Sequence, residues 1–508
     1  MKFLRILFSK WSISALLLLA QVAAIALLII YLNEYFYVFQ IVAWIVGILV
    51  VLVVVNRKEN PEYKIPWLFL VLALPIFGTL FYLLFSHTHV RKRDRKLYEK
   101  AYKELAPYIE DSAQEEEALQ SMEEGDRGMA RYLKRASGLG GSTHNDIKYY
   151  PVGEAMWEDM LEALRGAKKF ILMEYFIVDP GQMWDAIHEI LVEKAKEGVE
   201  VHFMYDDVGT VTMLPSSYYK KLRKEGIDAH KFNPFTPVVS GVFNNRDHRK
   251  IMVVDGEVAF TGGINLGDEY INRNDRLGHW KDTGIRVKGA GVNTLTTLFF
   301  INFIPASGKS LDYPKYMNPS PKSYDQKGVL VPFGDGPRPL YNEQVGEANY
   351  LNIIARSKRY FYITTPYLII DFRFTQALRE AAARGVDVRI ITPFIPDKKA
   401  VFCLTRGSYA TLRQAGVKIY EYTPGFVHAK MCLSDDDTAF VGTINMDFRS
   451  LTHHFECGAL LYGHECLKDI KADFENMFTV SRQIDDSFKL SFGAKLINVL
   501  LALFRVLF

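Results

Sequence analysis

Cysteine is nearly missing from this 508-residue chain: four copies, Cys403, Cys432, Cys457 and Cys466, with no C-x-x-C pair and no His/Cys run at zinc-finger spacing. That argues against a disulfide framework and a thiolate metal site, and the four are read as small, half-buried side chains. A dominant sign of charge is missing too. The 61 basic and 58 acidic residues leave a net charge of +3, too little for the basic field of a dedicated nucleic-acid binder. No Gly-Lys-Ser/Thr follows Gly138, Gly140 and Gly141, so they form no phosphate loop. No group of carboxylates stands at metal-ligand spacing, so neither a metal nor any other cofactor is expected.

Apolar residues, by contrast, make up 49% of the chain, and the excess lies before residue 86. Three runs there, 13–31, 37–55 and 65–85, each reach the ~20 residues that cross a hydrocarbon core, and none shows a polar face. A membrane anchor over 1–90 with three spans is expected, the third carrying Pro66 and Pro75. Lys2, Arg5, Lys10, Arg57, Lys58 and Lys64 would share one side of it, and Arg91, Lys92, Arg93, Arg95 and Lys96 the other. The positive-inside rule therefore leaves the orientation open. At the far end, 486–508 is basic, apolar-rich and broken by Gly493. It fits an amphipathic helix lying in the membrane interface, or one packed on the rest of the chain.

Residues 91–145 carry Glu115-Glu116-Glu117 and Glu123-Glu124 ahead of Gly138–Gly141, and are expected to be a charged, solvated helical linker ending in a flexible stretch. Beyond 145, strand-like stretches (170–178, 200–205, 360–364, 387–392) alternate with helical ones (154–166, 375–384). The alternation predicts an α/β fold with covered sheets. Its order repeats. Gly198-Val199-Glu200-Val201 matches Gly385-Val386-Asp387-Val388, and Leu222-Arg223-Lys224-Glu225-Gly226 matches Leu412-Arg413-Gln414-Ala415-Gly416. Such collinear matches predict one α/β lobe duplicated within the chain, with copies at 146–325 and 326–485.

Each copy ends in the same constellation. The first reads His248-x-Lys250-(four residues)-Asp255, then Gly262-Gly263-Ile264-Asn265; the second reads His428-x-Lys430-(four residues)-Asp435, then Gly442-Thr443-Ile444-Asn445. The residues after each histidine are apolar and β-rich, so His and Lys, two apart, share one face of a strand. Such a pair is half a site for a phosphate diester: the ammonium neutralises oxygens while the imidazole attacks or transfers a proton. Parity puts Asp255 and Asp435 on the opposite face, where they would anchor the turn after the strand although they belong to the catalytic motif. Gly263 and its counterpart Thr443 lie in stretches where the backbone can come close, and the Asn265 and Asn445 amides can donate to phosphate.

These strings resemble the phospholipase D superfamily, and their surroundings resemble bacterial cardiolipin synthases. The resemblance rests on Asn245-Arg246-Asp247-His248, Gly262–Tyr270, Trp280-Lys281-Asp282-Thr283, Ile419–Tyr422, Asn445–Ser450 and Phe455-Glu456, with a similar N-terminal module around Pro61–Gly78. It implies two phospholipase D-type lobes with mixed sheets flanked by helices, behind a transmembrane module. It also implies a multi-pass protein of the bacterial cell membrane that joins two phosphatidylglycerols into cardiolipin and releases glycerol. A hydrolase, or a transferase using another acceptor alcohol, would draw on the same histidines. The resemblance further implies that Asp282 and Glu456 back the two imidazoles across the lobe interface, and it leans to His248 as the nucleophile. Position 454, where the family usually carries Asn, is His454 here, beside His453; packing is its expected role.

Overall fold

The computed structural model describes residues 16, 19–24, 26–27, 33–86, 90, 92–109, 112–234 and 244–507, so most of the first expected span, 13–31, lies outside the described residues. The chain divides into two compact units: one holds the N-terminal residues to 89 together with 499–507, the other holds 90–234 and 245–498.

In the first unit, α1 (Asn33–Asn56) leads to α2 (Pro61–Ala73) and α3 (Pro75–Phe85). Among the described residues one helix, Tyr37–Asn56, is long and apolar enough to cross a membrane. Its Ile41, Ile45, Leu49 and Val53 are more than half exposed, unlike the core helix of a soluble domain. The run 65–85, expected as one span, is instead two helices of 13 and 11 residues broken at Leu74. The physical reason is Pro75, because a proline pushes the residue before it out of the α region, and Leu74 sits at φ −137°, ψ 76°. The chain then folds back so sharply that a Cβ on Gly78 would lie 2.2 Å from the Leu70 carbonyl oxygen. Arg505 pairs with Glu62, and Phe504 meets Phe69 edge-on.

The second unit holds two sheets of matching design. The first contains β1 (Asp146–Tyr150), β2 (Phe170–Tyr175), β3 (Glu200–Asp206), β4 (Asp228–Phe232), β5 (Lys250–Val254), β6 (Val258–Gly262) and, after the short β7 (His279–Lys281), β8 (Gly284–Lys288). The second contains β9 (Val329–Asp335), β10 (Tyr360–Thr364), β11 (Asp387–Pro393), β12 (Lys418–Tyr422), then, beyond β13 (Gly425–Val427), β14 (Met431–Ser434), β15 (Thr438–Gly442), β16 (Glu456–Tyr462) and β17 (Ser481–Gln483). Strand orders are β1-β8-β6-β5-β2-β3-β4 and β9-β16-β15-β14-β10-β11-β12, with β17 added to the edge. In each, the trio β2-β3-β4 or β10-β11-β12 runs parallel and the other pairs are antiparallel. Identical order and direction make these two mixed-sheet lobes copies of one design.

Residues 91–145 correct the expectation of a solvated linker. In α4 (Lys92–Ile109) the stripe Tyr98, Ala101 and Leu105 is buried in the main core, and Tyr98 stacks on Phe455 with centroids 5.4 Å apart. α4 packs on α6 (Gly291–Ser307), a helix apolar on nearly every side and correspondingly buried. Between them in sequence, α5 (Glu124–Ser137) sends Met129, Ala130 and Leu133 into the second lobe's core, and its Asp126 meets Arg356 at 2.7 Å. Charge is abundant in both helices but lies mostly on the outer face, the buried Asp126 being paired with Arg356, and the buried stripe decides where they go. The expected flexible stretch is also tied down: Ser142 and Leu330 exchange both backbone hydrogen bonds. The last described helix, α7 (Phe492–Ala502), buries none of its residues; Phe492, Leu496, Ile497, Val499 and Leu500 are each more than half exposed.

Candidate active site

Backbone register brings the two motifs together. β13 and β7 pair in parallel, Phe426 opposite Trp280 and Val427 opposite Lys281. The next residues along the two segments, His428 and Asp282, are thereby neighbours. A parallel bridge between Asp247 and Phe455 does the same for His248 and Glu456, reinforced by the His248 amide donating to the Phe455 carbonyl at 2.8 Å. The result is reciprocal. His248 Nδ1 lies 2.9 Å from Glu456 Oε2 of the second lobe, and His428 Nδ1 lies 2.6 Å from Asp282 Oδ2 of the first.

The two carboxylates are held differently. A Cβ on Gly263 would come within 2.0 Å of Asp282 Oδ1, so the missing side chain there makes room for the carboxylate. At the matching position Thr443 donates its hydroxyl to Glu456, as does Ser450 to the other oxygen. Ser450 is aimed by a short helix that Asp447 caps, the Ser450 amide donating to Asp447 Oδ1 at 2.8 Å. Arg249, fully buried, donates to the Glu456 carbonyl at 3.1 Å and braces it from behind.

All four motif bases are buried, and burial governs their charge. It drives His248 down to about 3, with Glu456 opposing and Lys250 assisting, and drives His428 to about 4, with Lys430 assisting and Asp282 opposing. It lowers Lys250 to about 8 and Lys430 to about 7. The Lys250 charge acts on both His428 and Lys430, so the two half-sites share one electrostatic field. Burial alone would raise the Glu456 and Asp282 carboxyls, but the imidazole beside each keeps it below the usual carboxylate range. The resting site thus pairs neutral imidazoles with carboxylates. Each ring then donates a hydrogen bond from Nδ1–H to the carboxylate and keeps the Nε2 lone pair free. The lysine ammonium groups each donate to the carbonyl of their own motif histidine, which fixes the head groups beside the rings.

Asp255 and Asp435 act elsewhere. Asp255 accepts from the amides of Lys168, Lys169 and Phe170 at 2.7–2.9 Å, and Asp435 from those of Lys358, Arg359 and Tyr360 at 2.6–3.0 Å. Both sit at φ 55° in the turn after their strand, stapling it to the start of β2 or β10. Motif membership put them among the catalytic candidates; their carboxylates are occupied by backbone. Asn265 accepts from the Ile177 amide and donates to the Tyr270 hydroxyl at 2.8 Å. That ring meets His428 edge-on at 5.5 Å. Asn445 is buried with its side-chain oxygen unpartnered among the described residues, and its backbone amide donates to Ser450 Oγ at 3.2 Å.

Several neighbours were not singled out by sequence reasoning. Trp280 and Phe426 flank His428, and Phe176 meets His248 at 5.0 Å between centroids. Trp280 falls in a string that carries the resemblance but is given no role there, and nothing local marked Phe426 or Phe176. His454, expected merely to pack, lies against the site: its ring is 5.5 Å from that of His248, and its Nδ1 is 3.6 Å from Glu456 Oε1. His248, His454 and Glu456 offer ligand atoms all within 4.8 Å of one another. Reading along the sequence does not bring these three together, because His248 is 208 residues from Glu456.

A cardiolipin synthase, PLD-like domain matches residues 160–282 and again 350–478, and a phospholipase D-nuclease N-terminal module matches 42–86. A cardiolipin synthase of Geobacillus sp. (strain WCH70) is 36% identical over 422 residues, 82% of this chain and 83% of that one. The chain belongs to the cardiolipin synthase family. It is a phosphatidyltransferase of the phospholipase D type and a membrane protein, from a family that acts on phospholipids. A second cardiolipin synthase, from Halalkalibacterium halodurans, is 34% identical over 85% of this chain and 88% of its own. An uncharacterized protein of Streptococcus mutans is 43% identical over 86% and 94%. A crystal structure of phosphatidylserine synthase from Haemophilus influenzae covers 76% of this chain and 100% of that chain with a TM-score of 0.57 at 12% identity, which reports a shared fold.

Proposed function

We propose that the protein joins two phosphatidylglycerols into cardiolipin and glycerol through a phosphatidyl-histidine. The observation that carries this is the reciprocal pair of buried, carboxylate-backed imidazoles between two buried lysines. His248 Nε2 attacks the phosphorus of the first phosphatidylglycerol. The P–O bond to its head-group glycerol breaks, and His428 delivers the proton that releases free glycerol. The hydroxyl of a second phosphatidylglycerol then gives its proton to His428 and attacks the same phosphorus. Cardiolipin leaves, His248 is regenerated, and His428 is protonated again.

His428 must begin the cycle protonated. The incoming diester anion supplies the charge that favours imidazolium, while Lys250 and Lys430 hold its oxygens. The nucleophile is His248: its partner Glu456 takes hydroxyl bonds from both Thr443 and Ser450, a setting suited to stabilising a ring that turns cationic on attack. The functional parts run as a membrane anchor (1–90), a connector (91–145), lobes at 146–325 and 326–485 and a C-terminal amphipathic segment (486–508), with substrate arriving from the bilayer.

Purified full-length protein in phosphatidylglycerol vesicles, assayed for products, is the direct test. Cardiolipin and glycerol in equal amounts are expected, and His428→Ala should abolish both. Phosphatidic acid as the sole product would replace the synthase reading with hydrolysis.

A further inference from the structure

We propose that His248, His454 and Glu456 form a site for a borderline divalent cation such as Zn²⁺, and that filling it silences the enzyme. Two imidazoles and one carboxylate are a donor set that zinc sites use. Around a tetrahedral ion with bonds of 2.0–2.2 Å, neighbouring ligand atoms stand ~3.3–3.6 Å apart. Here His248 Nδ1 is 2.9 Å from Glu456 Oε2, and His454 Nδ1 is 3.6 Å from Glu456 Oε1. Both spacings are of that order, although they run to different oxygens of the one carboxylate, and one ligand atom from each of the three residues lies within 4.8 Å of the other two.

A second observation points the same way. His454 Nδ1 is buried without a close hydrogen-bond partner among the described residues, although it faces a carboxylate oxygen 3.6 Å away. The contact is a loose imidazole–carboxylate pair, and its spacing is also of the order of two atoms sharing a metal. The carboxylate itself is oriented from outside the trio by Thr443 and Ser450, as outer-sphere groups orient metal ligands. His454 is the one ligand of the three that is not fully buried, and a water would complete a four-coordinate shell.

Inhibition follows from proton placement. With no metal, His248 Nδ1–H donates a hydrogen bond to Glu456 and Nε2 is free. A cation on Nδ1 and Glu456 takes that place, and the ring proton moves to Nε2. The nitrogen that would attack phosphorus then has no lone pair, and no net proton is gained or lost. His454 is therefore a specificity element for the cation, placed where the carboxylate that positions His248 can be captured.

The cation reading rests on the proposed role of His248 only for its effect on turnover, so binding and activity are read separately. Co²⁺ is titrated into full-length protein in detergent. One equivalent with the strong visible absorption of four-coordinate cobalt is expected, displaced by Zn²⁺. His454→Asn and His454→Gln should each weaken binding by at least the ~10–100-fold that loss of even an outer-sphere partner costs. In phosphatidylglycerol vesicles, Zn²⁺ should suppress wild-type turnover reversibly with EDTA, and the ratio of rates with and without Zn²⁺ should rise toward one in either variant. Absence of the cobalt band in wild type, or equal affinity in a folded variant, overturns the site. Equal fractional inhibition of wild type and variants overturns the inhibitory role. Failure to make cardiolipin in metal-free buffer would instead overturn the proposed reaction and leave the cobalt result standing.

Discussion

Replacing Glu456 with Gln separates charge from shape at the centre of this site. The amide oxygen of Gln can accept from His248 and Thr443 where Oε2 does now, and its NH₂ can donate to Ser450 Oγ in place of the present bond. Geometry and tautomer therefore survive, and only the negative charge is lost. That charge matters most when His248 bonds to phosphorus and its ring becomes cationic. Taking the carboxylate as ~4 Å from the ring charge and an effective dielectric constant of ~20, the interaction is worth about 4 kcal/mol, or about a thousandfold in rate. Cardiolipin formation by Glu456→Gln in phosphatidylglycerol vesicles should fall by that factor in kcat, with a wild-type melting temperature. The intermediate, trapped by a detergent quench at mildly alkaline pH and digested to phosphatidyl-histidine peptides, should form slowly in step with turnover. A loss below tenfold in a folded variant would refute the claim that Glu456 stabilises the charged ring.

Asp255→Ala and Asp435→Ala each remove a carboxylate that caps three backbone amides. Either should cost about 2–3 kcal/mol of stability, seen as a lower thermal midpoint, while turnover per folded molecule stays within severalfold of wild type. Gly263→Ala should cost about a hundredfold in kcat or more, because the new methyl would occupy the position of Asp282 Oδ1 and tilt His428 out of line; an unchanged rate would show that Asp282 does not orient His428. The pH profile follows from the lysines, whose ammonium forms are intact below their pKa and lost as pH rises through it. With Lys430 at about 7 and Lys250 at about 8, kcat/KM for phosphatidylglycerol should decline across that interval, and a profile flat to pH 9 would contradict it.

The motifs and the duplication were legible because they are local patterns. His and Lys two apart on a strand, an Asp of opposite parity and collinear matches in two halves need no tertiary knowledge, and the strands at Phe170 and Asp387 follow from the same alternation. What was harder depended on long-range register. Nothing near His454 says that the adjoining Phe455 bridges Asp247 and so carries the ring up to His248. The Asp282 and Glu456 pairings came from resemblance for the same reason. The break at Leu74 was written in Pro75, but an unbroken hydropathy run outweighed it. In α4, abundant charge concealed the stripe of Tyr98, Ala101 and Leu105 that holds the helix in the core.

The crossed pairing of histidines and carboxylates has a consequence for how the halves depend on each other. Each lobe lends the group that its sibling's histidine leans on and borrows the same service in return. A lone lobe would hold a histidine with no counter-anion and an anion with no histidine. Such a half could work only by self-association about a twofold axis running through the site. Fusion replaces that encounter with a permanent partnership at fixed stoichiometry. It also frees the two halves to differ, one with Gly and Asp, the other with Thr and Glu, and the added histidine at 454 is a divergence that two identical halves could not have confined to one side.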